Sequence, residues 1–439
     1  MPQLCIRMVD KRLKILVIGS GGREHALVWK LSKSDKITKI YCAPGNAGTE
    51  EFAENIAINP SNIRELLNFA KVNSIDLTFV GPEGPLIAGI VDKFKKKSLN
   101  IVGPSKKAAR IEGTKVFAKK LMAKYAIPTA KFKIFTDYKK AKKYLKSQIF
   151  PQVLKADGQC LGKGVLVAKN FNQAEKFLDV LMIKKIFAQA GSKVIIEECL
   201  TGQELSFMVV TDGKNFISLL PSQDHKRIFD NDHGPNTGGM GAFAPVPLVG
   251  SSLIKKIEKE IVKPTLSALE KEGCRYSGIL YPGLILTKQG PKVLEFNCRF
   301  GDPETQPVLS LLKTDLIDIL LAIQKRQIHK LKLSWNKGYA VCVVLASKGY
   351  PANYQKGFPI FITGTKNVTV FHSGTNKIGN KFITSGGRVL GVTGIGSSLF
   401  QAIKNTYKAV GAKGVHFKGM HFRRDIGQKG LNKKLWQSN

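Results

Sequence analysis

The first hundred residues constrain the fold most, because short apolar, β-rich runs alternate in them with amphipathic stretches. Lys14–Ile18 precedes Glu24–Leu31, Lys39–Cys42 precedes Asn62–Val72, and Leu77–Val80 precedes Pro85–Phe94, with Asn100–Val102 following. That rhythm is the pattern of βαβ units and of a doubly wound parallel sheet. Pro104 and Ser105 mark the exit from this unit.

From Thr114 to about Gln327 the pattern is α+β. Helices are expected at Lys115–Tyr125 and Leu253–Glu272, and strands at Gln152–Lys155, Val165–Ala168, Lys193–Glu197, Leu205–Thr211, Ile217–Leu220, Ile279–Leu286 and Lys292–Asn297. After Leu331 come Tyr339–Leu345, Val368–Phe371, Phe382–Thr384 and Arg388–Val392 with one helix, Ser398–Val410, which predicts a small β-rich closing domain. The expected class is therefore multidomain α/β and α+β. It divides into a leader (1–13), an N-terminal Rossmann-like domain (14–113), a central domain (114–330), a C-terminal β-rich domain (331–427) and a tail (428–439).

A chain of 439 residues exceeds what one core serves, and roughly 150 residues per domain gives about three units. No apolar run approaches the ~20 residues that span a bilayer, so a soluble protein is expected. The leader lacks a long apolar segment and a cleavage site, and Met8 is an alternative start. Seven scattered cysteines, none in a C-x-x-C pair, read as free thiols of a reducing cytoplasm. The net charge of +37 would by itself allow a nucleic-acid partner. Its lysines are dispersed in pairs and triplets along the expected helices rather than gathered in one arm, so the expected reading is a solvated surface, with no nucleic acid bound and a field that favours anionic ligands.

Five segments carry candidate chemistry. On the strand Val293–Asn297 alternate residues share a face, so Glu295 and Asn297 present two oxygens together. Magnesium takes such hard donors, with phosphates and water completing its shell. Alone the pair could be the polar face of an edge strand; Arg299, Asp302 and Glu304 just beyond add a phosphate-binding guanidinium and further carboxylates. The loop Ala156–Gly164, with Lys155 before it and Gly162, Lys163 and Gly164 at its end, can lay amides and ammonium groups on phosphates, although a glycine-rich hairpin is a serious alternative. The run Glu197–Leu200 followed by Glu204 can line an adenine pocket, with Glu198 and Leu200 offering backbone groups. Asp224, His225 and Lys226 precede Gly234–Gly241, a loop too rich in glycine for regular structure; His225 is assigned no proton transfer. Finally Gly19, Gly21 and Gly22 follow the first strand and open a helix whose amides favour an anion. Glu24 stands at the third glycine of a dinucleotide fingerprint, and Asn46 follows the second strand where a ribose-binding acid belongs, so a nicotinamide cofactor is not expected.

Taken together, Gly19–Leu27, Ala43–Thr49, Val80–Pro85, Ser222–Lys226, Gly234–Ala242, Glu295–Pro307 and Ser385–Leu390 resemble the phosphoribosylamine–glycine ligases, or glycinamide ribonucleotide synthetases, of the ATP-grasp superfamily. The resemblance runs from Lys14 to about Gly427. It implies a central ATP-grasp fold with a mobile subdomain at about 126–200. It also implies a purine-pathway reaction in which ATP phosphorylates glycine and the amine of 5-phosphoribosylamine displaces phosphate. Lys115 and Lys155 would contact ATP phosphates, Glu197 to Leu200 form the adenine hinge, Glu204 hold the ribose, and Glu295 and Asn297 hold Mg2+ or Mn2+. Arg299, with Asp224 and Lys226, would serve the transfer. Gly19, Gly21, Gly22, Asn46, Asn236, Thr237, Gly238, Gly239, Met240 and Asp302 would bind the two small substrates. A monomer or weak homodimer is expected. Three places depart from the family's usual wording: Gln159-Cys160-Leu161 in the phosphate loop, Phe229 in place of glycine and Pro282 in place of alanine. An ATP-grasp carboxylase is the main alternative, against which Gly234–Ala242 and Ser222–Lys226 speak.

Overall fold

The computed structural model describes residues 12–158, 164–186 and 191–432. The N-terminal domain is a parallel sheet of β1 (Leu13–Gly19), β2 (Ile37–Pro44), β3 (Glu54–Asn55), β4 (Leu77–Val80) and β5 (Ile101–Val102), in the order β3-β2-β1-β4-β5. Its central strands β1 and β4 are apolar because helices cover both faces; Ile15, Leu16, Val17 and Ile18 are all fully buried. The order reverses at β1 and β4, so their carboxyl ends open the crevice where such sheets bind ligands. Two loops lie there, Gly19–Gly22 after β1 and Gly81–Glu83 after β4. The helix expected at Pro85–Phe94 is instead two, Glu83–Ile87 and Ile90–Lys95. They meet at Gly89, whose φ of +87° only glycine adopts without strain.

Two antiparallel sheets form the central domain. The smaller runs in the order Phe132–Phe135, Val194–Glu198, Gln152–Ala156, Val165–Ala168. It has a core of its own in which Leu154, Ala156, Val194 and Ile196 meet the helices Tyr138–Lys146 and Phe171–Leu178. The larger pairs Gly278–Thr287 along one edge with Gln203–Ser206 and Val209–Thr211, in one register, and along the other with Gly290–Asn297. The single strand expected at Leu205–Thr211 is broken at residues 207–208. Ser206 pairs with Gly283 and Val209 with Leu280, which sets Pro282 opposite the break. Proline has no N–H to give the ladder, so pairing is interrupted where this chain carries it. The expected helix at Leu253–Glu272 is present as Ser251–Lys271, with a π turn at Glu258–Val262.

The C-terminal sheet crosses the expected division at 330. Its order is Gln223–Asp224, Gly241–Ala244, Tyr339–Ser347, Arg388–Gly396, Val368–His372, so two of its strands come from the central segment. Helix Leu399–Lys408 packs on it through Ala402, Ile403 and Thr406. Among the described residues no helix is long and apolar enough to cross a membrane, and Cys42, Cys199, Cys274, Cys298 and Cys342 are free thiols.

Candidate active site

The cleft between the two central sheets begins with strand register. Val153 pairs with Glu197, which sets Lys155 two residues along on the same face, while Leu154 and Ile196 turn into the small core. Lys155 Nζ lies 3.0 Å from Glu197 Oε2, and Lys119 Nζ lies 3.1 Å from Oε1. All three side chains are buried. The Glu197 carboxylate thus holds two lysines rather than an adenine, and only the backbone of the segment after it can serve as a hinge. Lys115 Nζ donates to Gly158 O at 2.7 Å, and Asp157 Oδ1 accepts from Val116 N at 3.1 Å, so the phosphate loop springs from the N-terminus of helix Lys115–Lys124. Gly162, Lys163 and the departure Gln159-Cys160-Leu161 lie outside the described residues; Gly164 O accepts from Ala156 N at 2.8 Å and closes the hairpin.

Across the cleft, Gly283 pairs with Glu295 but Leu284 with Val293, a bulge that leaves Leu294 out of the ladder. Lys155 Nζ donates to the freed Leu294 carbonyl at 3.1 Å. The Glu295 carboxyl is half-buried, and although desolvation works against its charge, Lys226, Lys155, Lys115 and Arg299 hold it below the usual glutamate range. Asn297 Oδ1 accepts from Arg299 Nη2 at 3.0 Å, which leaves one lone pair of that oxygen for a cation.

Asp224 and Lys226 share one side of their segment, while His225 turns inward, fully buried with neither ring nitrogen bonded. Burial, with Glu304, Glu204 and Glu295 nearby, pushes the Asp224 carboxyl up to about 7 although Lys226 opposes it. Burial works against the Lys226 ammonium, but Glu204, Asp224 and Glu295 hold it well above the usual lysine range; Glu204 Oε2 is 2.9 Å away. The Glu295 carboxylate and the Asn297 amide oxygen, hard donors on one strand face with Asp224 and Glu204 near, fit a divalent cation.

Arg299 differs from its expected free fork. Its guanidinium reaches Glu83 Oε2 at 3.2 Å, Glu112 Oε1 at 3.1 Å, Phe300 O at 3.3 Å and Asn297. In this arrangement it aims Asn297 and ties the strand to the N-terminal domain instead of offering a bidentate face to phosphate. The glycine loop after β1 also differs from an open anion site. Gly21 N donates to Glu24 Oε2 at 2.6 Å, and a Cβ at Gly81 would lie 2.0 Å from Glu24 Oε1. The carboxylate occupying the third fingerprint position therefore fills the space beneath both loops.

Asp302 stands before these glycines, a Cβ at Gly21 falling 3.3 Å from its Oδ2. Burial notwithstanding, Arg388 keeps its carboxyl below the usual aspartate range, with Nη2 3.0 Å from Oδ2. Arg388 Nη1 also donates to Gly238 O at 2.6 Å and Asp302 O at 2.8 Å, so one guanidinium joins two expected substrate loops. Gly239, at φ +108°, lies against Pro303, and Thr237 N donates to Lys226 O at 2.8 Å. Three expected contacts are placed otherwise. Met240 is fully buried against Ile228 and Ala346, on the core side of its loop. Asn46 donates to Ser20 O and His372 O and accepts from Gly48 N and Thr49 N, so its side chain braces loops. Asn236 pairs with Arg227 in an exposed hairpin. No described contact tests Leu200. Lys119, Arg388, Glu83 and Glu112 were not singled out from sequence. Lys119 recurs four residues after Lys115, one helical turn on, and Arg388 lies within Ser385–Leu390, signals too weak alone to select them.

Comparison with known proteins agrees with this geometry. The chain matches the phosphoribosylglycinamide synthetase N domain over residues 13–112, the ATP-grasp (A) domain over 113–305 and the C domain over 340–429. It is 50% identical to the phosphoribosylamine–glycine ligase of Caldanaerobacter subterraneus subsp. tengcongensis, over 94% of this chain and 99% of that one. With the Clostridium acetobutylicum ligase the identity is 44%, over 95% and 100%. The crystal structure of the Thermotoga maritima ligase superposes with a TM-score of 0.81 at 35% identity, covering 94% of this chain and all of that one. A biotin carboxylase domain of the Hydrogenobacter thermophilus 2-oxoglutarate carboxylase, solved with MgADP and bicarbonate, shares the fold at TM-score 0.72 and 17% identity. The chain belongs to the phosphoribosylglycinamide synthetase family, with its N, ATP-grasp and C domains.

Proposed function

We propose that the chain joins glycine to 5-phosphoribosylamine, cleaving ATP to ADP and phosphate through glycyl phosphate and giving glycinamide ribonucleotide. The observation that carries the reading is the convergence of Lys115, Lys155, Lys226 and Arg299 on the Glu295 carboxylate, beside Asn297. Phosphoryl transfer needs positioning and charge neutralisation more than a protein nucleophile. Lys115 and Lys155 bind the phosphates with Gly162, Lys163 and Gly164; the backbone of Glu198 to Leu200 takes the adenine and Glu204 the ribose. Glu295 and Asn297 hold Mg2+ or Mn2+, which when bound neutralises phosphate charge. Lys226, beside Asp224, faces the same cleft and neutralises charge on the transferring phosphoryl group. Gly19–Gly22, Thr237–Gly239 and Asp302 shape the pocket for the amine and the amino acid. The chain acts as a monomer or weak homodimer, and in the cytoplasm, the latter supported by the free thiols among its described residues.

Purified protein should form ADP and phosphate only when glycine, 5-phosphoribosylamine and magnesium are all present. Rapid turnover with bicarbonate replacing glycine would instead favour a carboxylase, to which only the likeness of fold points.

A further inference from the structure

We infer that Lys119 is a positioning residue for ATP, because it neutralises Glu197 and so leaves the charge of Lys155 available to the triphosphate. The inference rests on the ligase reading and deepens it. Two ammonium groups and one carboxylate share this buried spot, 3.1 Å and 3.0 Å apart, for a net charge of +1. Burial of each charge is costly unless compensated. Were Lys119 absent, Glu197 would have Lys155 as its remaining cation and would neutralise it, and the cluster would face ATP with no charge.

Geometry distinguishes the two lysines. Lys119 is enclosed, and its Nζ donates to Thr129 Oγ1 at 2.7 Å, while Thr129 Oγ1 donates onward to Val293 O at 2.7 Å. Val293 N in turn donates to Pro128 O at 2.8 Å. Lys119 is thereby fixed to the strand that carries Glu295 and Asn297 and points away from the cleft. Among the described residues Lys155 bonds the bulged Leu294 carbonyl of that strand besides pairing with Glu197. An ammonium has three donors, so Lys155 keeps one for a phosphate oxygen. The Lys119–Thr129–Val293 chain and the Lys155–Leu294 bond thus set both the small sheet and the phosphate-binding charge relative to the metal-binding strand.

The test is steady-state kinetics of the full-length enzyme with ATP and glycine varied separately. Lys119→Met should raise the KM for ATP ~10- to 100-fold, the loss of one charge-assisted contact, with the KM for glycine within about twofold of the parent. Lys119→Arg, which keeps the charge, should restore most of the ATP affinity. The deciding variant is Lys119→Met with Glu197→Gln. It returns the cluster to +1 and should bind ATP better than Lys119→Met alone, whereas a purely structural role makes the double variant the worse one. If Lys119→Met does not fold, Thr129→Val loosens Lys119 without touching charge and should raise the KM for ATP alone, by about threefold. An unchanged KM for ATP in Lys119→Met or Thr129→Val, equal rises for ATP and glycine, or no recovery in the double variant overturns the inference. Failure of the parent enzyme to use glycine overturns the ligase reading instead.

Discussion

Glu295 sets the charge balance of the cleft. Four cations hold it ionised against its own burial, and it is the carboxylate that shares a strand face with Asn297. Replacing both, Glu295→Ala with Asn297→Ala, should lower turnover on the order of a hundredfold or more. It should also move the magnesium titration to higher concentration, and cost about 1–3 kcal/mol of folding stability because Arg299 loses its Asn297 acceptor. A magnesium titration curve that superposes on the parent's places the metal elsewhere. This pair was legible in the sequence because strand alternation turns spacing into a shared face. Lys119 was not, since one lysine in a chain with 69 Lys and Arg offers no contrast until Glu197 is seen between it and Lys155. Arg388 was hidden for another reason: its partner Asp302 lies 86 residues away, and no local pattern encodes such a meeting.

At the scale of elements, the hairpin of Arg227–Phe229 and His233–Asn236 delivers the glycine-rich loop to the site and is held from behind by the chain's C-terminal segment. Arg423 is fully buried there, with Nη1 2.9 Å from Asp232 Oδ1 and 3.1 Å from Arg227 O, and Nη2 2.6 Å from Asp425 Oδ2. Asn231 N and Arg424 N complete the seam on Asp425 and Asp230. Phe229, where the family usually has glycine, stands half exposed with its ring edge-on to His421 at 5.6 Å, which fastens the hairpin tip to the same segment. Arg423→Met should cost about 2–4 kcal/mol, because it strips Asp425 of its guanidinium and leaves Asp232 with Lys429 alone, discounted for the exposure of Asp232. Asp232→Asn should cost under about 1 kcal/mol. Urea denaturation checks both, and an Arg423→Met loss no larger than that of Asp232→Asn would remove the guanidinium from this role. Four strands of the N-terminal sheet were legible because each has an apolar run beside a helix, whereas the polar pair Glu54–Asn55 was not. The shared sheet was not, since Gly241–Ala244 pairs with Tyr339–Ser347 from a distant part of the chain, and strand periodicity says which face is buried but not which strand lies alongside.

The whole molecule keeps three histidines neutral. Burial lowers His25 and His225 to about 3 and His372 to about 4, His25 receiving the His372 N–H at Nδ1, 2.7 Å away. A histidine whose folded pKa is depressed binds a proton more readily unfolded. Its contribution is therefore complete above the unfolded value of 6.5 and is lost as pH falls toward the folded one. Asp224 opposes them: its pKa, raised to about 7, lets the folded state take up a proton first as pH falls from 7 to about 4. Three protons against one leave a net of about two, a slope of roughly 2.7 kcal/mol per pH unit, so that about 4 kcal/mol is lost between pH 6 and 4.5, a large part of an ordinary folding stability. Urea midpoints at pH 7, 6 and 5 should fall steeply in that order, and equal midpoints at pH 7 and 5 would show that these rings are hydrated in the fold. His225→Gln isolates one of them. Neither ring nitrogen has a partner to lose, so the variant should keep stability at pH 7 within about 1–2 kcal/mol. It should also flatten the acid slope by one proton, about 1.4 kcal/mol per pH unit.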